Sequence, residues 1–467
     1  MKYRVQEIDL PEGDIYQNDA LNRKPVVEFI ENFLAGLDGP FVLALDSPWG
    51  TGKTTAVRML KATLTASQIP CVYFNAWKVD YASDPLVALV SALDEIGPKD
   101  PAAGKRFKNH MASVKKLTTS VAKHGAVAAV KAATFGALEL DTAIEKVAAD
   151  LTGDLTKDLV ASFQKEKASL DNLRTELEKA ISELSKDAKA KPLVFFIDEL
   201  DRCRPSFAIE MLERIKHLFD VEHLVFVLSV DKRQLEAATG AVYGEKIDAS
   251  EYLRRFFDME LRLPQSDAKR FTRTQLQRFG LGEYFGERRR NQQTQYDGDH
   301  LVDTIGELTK IFGLSLRAIE RAMVRVALVC SQTPTDHFLD PILLAFLVVL
   351  RIKNVELFEE LVVGDTSPDH AMAYIRTLPG GTTFAESRLG TIVETYLVIG
   401  DNNQERRNSK IGSLKALAEA KVDSPETMRA QEIVNTMNYI PPNSFHRYHF
   451  SISSVANKVE MASSLNS

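Results

Sequence analysis

Eight consecutive residues, Ser47-Pro48-Trp49-Gly50-Thr51-Gly52-Lys53-Thr54, carry the plainest chemistry in this chain. Glycines at 50 and 52 let the backbone curl until successive N–H groups point inward at an anion. A helix starting near Lys53 would aim its positive dipole end at the same anion. Lys53 is placed to reach β- and γ-phosphates, and the Thr54 hydroxyl to ligate Mg²⁺. Together with Thr55, residues 47–54 form the candidate nucleotide-binding set. The usual pattern opens on Gly. Ser47 stands there instead, and a small residue suits the turn. A second constellation is Asp198-Glu199-Leu200-Asp201-Arg202. Asp198 fits a carboxylate that holds Mg²⁺ through its waters. Glu199 fits the group that polarises an attacking water, because adjacent residues leaving a strand point in different directions. Asp201 is a candidate brace. Arg202 either acts on a γ-phosphate or pairs with an acid.

Both constellations need elements to hold them. Phe41–Leu45 reads as a buried strand and Ala56–Leu64 as a helix, which is the P-loop order of strand, loop and helix. That order argues against a chance Gly-Lys-Thr in a surface loop. Cys71–Phe74 reads as a second strand, followed by Asn75 at the usual ligand edge of an open α/β sheet and by Trp77 as a packing residue. Leu193–Ile197 and Leu224–Asp231 read as buried parallel strands, with a helix over 207–219 between them. Ser229 or Asp231 would end the last strand or sense a γ-phosphate. Ahead of the loop, positions 26, 29, 30, 33 and 34 share one helical face. Arg23 at its start is a candidate contact to base or ribose. Arg254 and Arg255 are candidate arginine fingers. Arg317, at the start of a helix, is a candidate link between nucleotide state and domain position.

The remaining stretches are less specific. Residues 95–190 hold helix formers and no convincing strand. Lys105-Arg106-Phe107-Lys108 and Lys115-Lys116 read first as a solvated helix face, with a nucleic-acid or lipid-headgroup contact as the alternative. Leu170, Leu173, Leu177, Ile181 and Leu184 repeat at heptad-like spacing, which suits either a helix packed on its own domain or a dimer seam. Beyond Pro264 the chain reads as helical, with Arg288-Arg289-Arg290 in an exposed loop able to touch phosphate. Ile342–Leu350 reads as a core helix and 401–408 as a polar loop. The tail is expected to fray after Ala456. His446 and His449 lie close, but no Cys or acidic partner nearby supports a metal site.

Composition sets the frame. At 467 residues, 45% hydrophobic and 26% charged, the chain has room for two or three ordinary globular domains. A net charge of −6 gives no global pull toward nucleic acid or anionic membrane. Cys71, Cys203 and Cys330 are far apart, which argues against a zinc site or disulfide framework and suits a reducing compartment. The N-terminus lacks the apolar region of a signal peptide, so a cytoplasmic location is expected. Lys123, His124 and Lys131 interrupt the best membrane-span candidate, over 121–140. The expected organisation is an ATPase core over 1–94 and 191–264, a helical insertion over 95–190 and a helical region over 265–467.

Taken together, Pro48–Thr54, Phe74-Asn75-Ala76-Trp77 and Phe196–Arg202 resemble the KAP family of P-loop NTPases. Leu21-Asn22-Arg23 and Tyr252–Arg255 add weaker support, and the resemblance spans roughly residues 15–360. Two positions depart from the family pattern: Ser47 for the first Gly, and Asp198-Glu199 where many members carry two acids of one type. The resemblance implies an α/β fold, a P-loop NTPase core with a mostly parallel sheet of the additional-strand type, and a helical C-terminal region. Many members insert transmembrane helices between the two phosphate motifs. Residues 95–190 occupy that place here without a convincing span, so a soluble member, or one touching only the membrane surface, is implied. The family is mostly bacterial and includes phage-exclusion proteins, so the resemblance suggests a role in defence.

These readings lead to an ATP- and Mg²⁺-dependent switch acting on a protein partner or on its own oligomeric state. A nucleotide-binding scaffold with negligible turnover, and a nucleic-acid-stimulated motor using 105–116 or 288–290, are the alternatives.

Overall fold

The computed structural model describes residues 11–135, 154–184, 191–420, 424–440 and 451–464, apart from single positions at 12, 38, 219, 265 and 338. His446 and His449 lie outside them. The chain divides into two compact units. One comprises Ile8–Asp19 and Arg23–Pro264; the other comprises Met1–Glu7, Ala20–Asn22 and Gln265–Ser467.

The first unit is built on β1 (Phe41–Asp46), β2 (Cys71–Asn75), β3 (Leu193–Asp198), β4 (Leu224–Val230) and β5 (Met259–Arg262). They form one sheet in the order β2-β3-β4-β1-β5, and every neighbouring pair is parallel. β4 therefore lies between the strand leading into the loop and the strand ending in Asp198, which is the additional-strand arrangement. β3 and β4 are buried along their whole length. An unbroken apolar run is what a strand covered on both faces requires. β5 is the element the sequence hid. Its four residues are largely exposed, so no buried run marks it.

Alternate residues of the strands feed two apolar layers. Leu43, Leu45, Val194, Phe196, Val225 and Val227 pack with α1 (Lys24–Ala35) and α2 (Lys53–Ala66). Val72, Phe74, Phe195, Ile197, Phe226 and Leu228 face the other way. There they meet α3 (Pro85–Ala92), α4 (Pro101–Phe135), α5 (Asp154–Leu184) and α6 (Pro205–Ile215). α7 (Lys232–Tyr243) and α8 (Ala249–Arg254) complete the unit.

The heptad-spaced stripe belongs to this layer. Leu173, Leu177 and Ile181 of α5 are buried in the same cluster as Phe107, Met111 and Val114 of α4. The stripe is thus a seam within the unit. The basic segment on α4 is also engaged locally. Arg106 donates to both oxygens of Glu183 at 2.7 and 2.8 Å, His110 Nδ1 lies 2.8 Å from Glu176, and Lys115 pairs with Asp94.

Among the described residues, the second unit is helical from Ala268 to Ser464. Its centre is the helix Pro341–Lys353, in which every residue from Pro341 to Leu350 is buried. No described helix is long and apolar enough to cross a membrane. Three expectations need correction here. Arg288 is not in an exposed loop. It ends the helix Leu281–Arg288 and is 2% exposed. Its guanidinium reaches Asp297 at 2.7 and 2.6 Å and donates to the carbonyls of Thr335, His337 and Leu339. The polar stretch 401–408 is mostly helix, because the Asn403 side chain caps the helix Gln404–Glu419 through Arg406 N. The tail does not end its order at Ala456. The helix Ile452–Ser464 buries Val455, Ala456 and Val459.

Candidate nucleotide-binding site

The phosphate loop leaves β1 at Asp46 and enters α2 at Lys53. Gly50 and Gly52 have φ of 76° and 88°, the left-handed region that glycine reaches without steric cost. Ser47 is not among the residues with positive φ, so the missing first glycine is not needed for backbone reasons. Its hydroxyl lies 2.7 Å from Thr51 Oγ1, and Thr51 Oγ1 also donates to Pro48 O at 2.8 Å. The first intrahelical bond of α2 runs from Ala56 N to Gly52 O at 3.1 Å. The amides of Gly52, Lys53, Thr54 and Thr55 thus precede the helical ladder, as an anion-binding terminus requires.

Three side chains from distant parts of the unit hold this loop. Arg23, 1% exposed, donates to Thr51 O at 2.8 Å and to Pro264 O at 2.6 Å. Asp231, just past β4, accepts from Trp49 N at 3.2 Å. Asp201 accepts from the Trp49 indole Nε1 at 2.5 Å and lies 3.6 Å from Lys53 Nζ. Lys53 also donates to Ser47 O.

The carboxylates come from the tip of β3. Asp198 is buried; its Oδ2 accepts from Tyr73 OH at 2.9 Å and its Oδ1 from Glu199 N at 2.9 Å. Glu199 has φ 61° and ψ 26°, a left-handed conformation that costs a non-glycine residue on the order of 1 kcal/mol. That turn starts the 3₁₀ segment Leu200–Arg202, which returns Asp201 to the loop and Arg202 to Glu199. Glu199 is held at both oxygens, by Asn75 Nδ2 at 2.9 Å and Arg202 Nη1 at 2.5 Å. The Arg202 guanidinium in turn sits 5.9 Å from the Trp77 ring centroid.

The electrostatics suit a phosphate with a divalent cation. Burial lowers the Lys53 pKa, and Asp201, Asp231, Asp198 and Asp46 oppose that shift. One ammonium among four carboxylates leaves an excess of negative charge that a divalent cation can offset. Ser229, the register partner of Asp198 on β4, is fully buried, and its hydroxyl has no hydrogen-bond partner among the described residues. An unpaired buried hydroxyl beside the Asp198 carboxylate is what a further polar ligand would satisfy. No group of three or more His, Cys, Asp or Glu side chains among the described residues is arranged to hold a metal ion. Thr54 and Asp198 could hold a cation together with water and phosphate without such a group.

The structure separates the remaining sequence expectations. Arg23 is buried, and its two carbonyl acceptors, Thr51 O and Pro264 O, make it a support for the loop. Trp77 is not packed away but 52% exposed. Arg254 is exposed and pairs with Glu251 at 3.1 Å; Arg255 is exposed beside it. Arg317 lies exposed in the first turn of the helix Leu316–Ser331 of the second unit. Sequence reading missed Tyr73 as a donor to Asp198 and Trp49 as a donor to Asp201. Tryptophan inside a phosphate loop, with an acid three residues beyond Asp198, was the available signal for the second pair.

No curated protein matches the chain. Among solved structures, the Aeropyrum pernix ORC2 protein, determined as ADPNP–ADP complexes, is similar at 14% identity and TM-score 0.34, with 99% of this chain and 98% of that one covered. The Walker-type ATPase of Pyrococcus abyssi is similar at 13% identity and TM-score 0.28, with coverages of 95% and 97%. The profile of the KAP family P-loop domain matches residues 23–331. With its phosphate loop, its carboxylates and its strand order in that span, the chain belongs to the KAP family of P-loop NTPases.

Proposed function

We propose that the chain binds ATP with Mg²⁺ at residues 47–55 and hydrolyses it. The observation that carries this reading is the meeting of two segments some 150 residues apart in sequence: Lys53 of the loop and Asp201 of the acidic turn, 3.6 Å apart. In this reading Lys53 and the amides from Gly52 to Thr55 bind the phosphates, while Thr54 and Asp198 hold Mg²⁺. Bound Mg²⁺ would neutralise charge on the phosphate oxygens. Glu199 takes a proton from water as the water oxygen bonds to the γ-phosphorus and the bond to the β-phosphate oxygen breaks.

Arg254 and Arg255, both exposed, are proposed as groups that a second copy would present to the γ-phosphate. Arg317 is proposed to couple nucleotide state to the helical unit. The output would be a change in a protein partner or in oligomeric state, and a part in defence follows from the family resemblance alone. Phosphate release from the purified chain tests the reading. Glu199→Gln should bind ATP and lose turnover, and Lys53→Ala should lose binding. Turnover at the wild-type rate in Glu199→Gln would reject the assignment.

A further inference from the structure

We propose that Asp201 competes with the nucleotide's terminal phosphate for the Lys53 ammonium and so sets nucleotide affinity, with Trp49 reporting the exchange. This rests on the nucleotide-binding reading above. Two hydrogen-bond donors and one ammonium converge on a single oxygen, Asp201 Oδ2. The Trp49 indole N–H lies at 2.5 Å, Asp231 N at 3.0 Å and Lys53 Nζ at 3.6 Å. The other oxygen, Oδ1, is buried with no hydrogen-bond partner among the described residues. The Asp201 side chain is 1% exposed, so water does not satisfy it. A buried carboxylate with one bare oxygen depends on its countercharge.

Lys53 is that countercharge, and it is a single point charge on a flexible stem. A phosphate arriving at the loop needs the same ammonium. One positive charge cannot fully neutralise both anions, so the phosphate's gain at Lys53 is offset by what Asp201 loses. The two neutral donors then have a clear purpose. Trp49 Nε1 and Asp231 N do not depend on Lys53, and they keep Oδ2 hydrogen-bonded when the ammonium turns away. Because the Trp49 indole donates to a carboxylate whose countercharge changes, its emission responds to phosphate at Lys53. This gives a physical reason for a tryptophan inside a phosphate loop.

The test is an equilibrium titration of the full chain with a non-hydrolysable ATP analogue and Mg²⁺, in a Trp77→Phe background that leaves Trp49 as the sole tryptophan. Asp201→Asn keeps an acceptor for Trp49 and Asp231 N but removes the charge. It should tighten binding about tenfold, equivalent to about 1.4 kcal/mol, and suppress the change in Trp49 emission seen in the parent. Trp49→Phe, followed by calorimetry, should act in the opposite direction. With one neutral donor gone, Asp201 holds Lys53 more firmly and binding weakens about threefold. Equal or weaker binding by Asp201→Asn at an unchanged melting temperature would overturn the proposal. So would a Trp49 emission indifferent to the analogue. If Asp201→Asn does not fold, equal or tighter binding by Trp49→Phe overturns it instead. A parent chain that binds no nucleotide removes the underlying reading as well. A parent that binds and turns over ATP, beside an Asp201→Asn variant of unchanged affinity, removes this proposal alone.

Discussion

Arg202 Nη1 lies 2.5 Å from Glu199 Oε1, so the residue proposed to activate water is ion-paired with its own near neighbour. Asn75 holds the opposite oxygen at 2.9 Å. A carboxylate engaged at both oxygens is well oriented, but neither oxygen is free to meet a water. Arg202→Ala should therefore raise basal phosphate release, by about threefold, or about 0.7 kcal/mol of barrier, with nucleotide affinity unchanged. Steady-state kcat and KM measured together check this. A large fall in kcat would show instead that Arg202 acts on the phosphate.

Arg23 supports the loop from behind. Its guanidinium is buried and bridges Thr51 O to Pro264 O, so Arg23→Met leaves two carbonyls without their charged donor. The expected cost is about 3 kcal/mol in urea unfolding. A nucleotide KM raised several-fold should accompany it, because the loop's carbonyl at 51 is no longer fixed. Arg23→Lys should recover only part, since an ammonium does not span both acceptors as the planar fork does. Unfolding and KM in all three proteins would decide between support of the loop and a role confined to stability.

The sequence made the chemistry legible where it is written in local order. A strand, a glycine-containing loop and a helix identify residues 41–66, and an apolar run ending in Asp198-Glu199 identifies the second strand tip. Each signal depends only on neighbours in the chain. Trp49–Asp201, Arg23–Thr51 and Asn75–Glu199 join positions 152, 28 and 124 residues apart, and no periodicity encodes such pairs. Arg288 misleads for a related reason. Three arginines in a row read as exposed, yet one of them finds Asp297 and three carbonyls inside the helical unit. β5 escaped because an exposed edge strand of four residues carries no buried pattern.

Arg288 also yields a prediction about nucleic acid. The pair it forms with Asp297 is buried, and burial pushes the Asp297 carboxyl up while Arg288 holds it down. Arg288→Met leaves that carboxylate uncompensated and should destabilise the helical unit by about 3–5 kcal/mol. Arg288→Met with Asp297→Asn should recover part of the loss, because the two residues share one interaction. Phosphate release by the wild-type chain at low salt should be indifferent to added DNA or RNA. Arg288 is buried, and Arg106, although exposed, is paired with both oxygens of Glu183. Stimulation that falls steeply with salt would point to the exposed lysines of α4 instead.

Asp340 should give the helical unit a pH-dependent stability. It caps the core helix, accepting from Ile342 N at 3.0 Å and Leu343 N at 2.8 Å, and Tyr396 OH donates to its other oxygen. Burial pushes its carboxyl up to about 6, against the lowering effect of those bonds, and the Asp297 charge adds to the rise. The folded protein thus holds this proton more tightly than the unfolded chain, whose value is about 3.9. The resulting stabilisation is fully present below pH 4 and is lost as pH rises through about 6. That difference corresponds to roughly 3 kcal/mol. Asp340→Asn keeps an acceptor for the two amides and does not titrate. Its melting temperature, measured from pH 4 to 7.5 beside the wild type, should fall less with rising pH. Parallel profiles for the two proteins would show that the buried carboxyl does not titrate in this range.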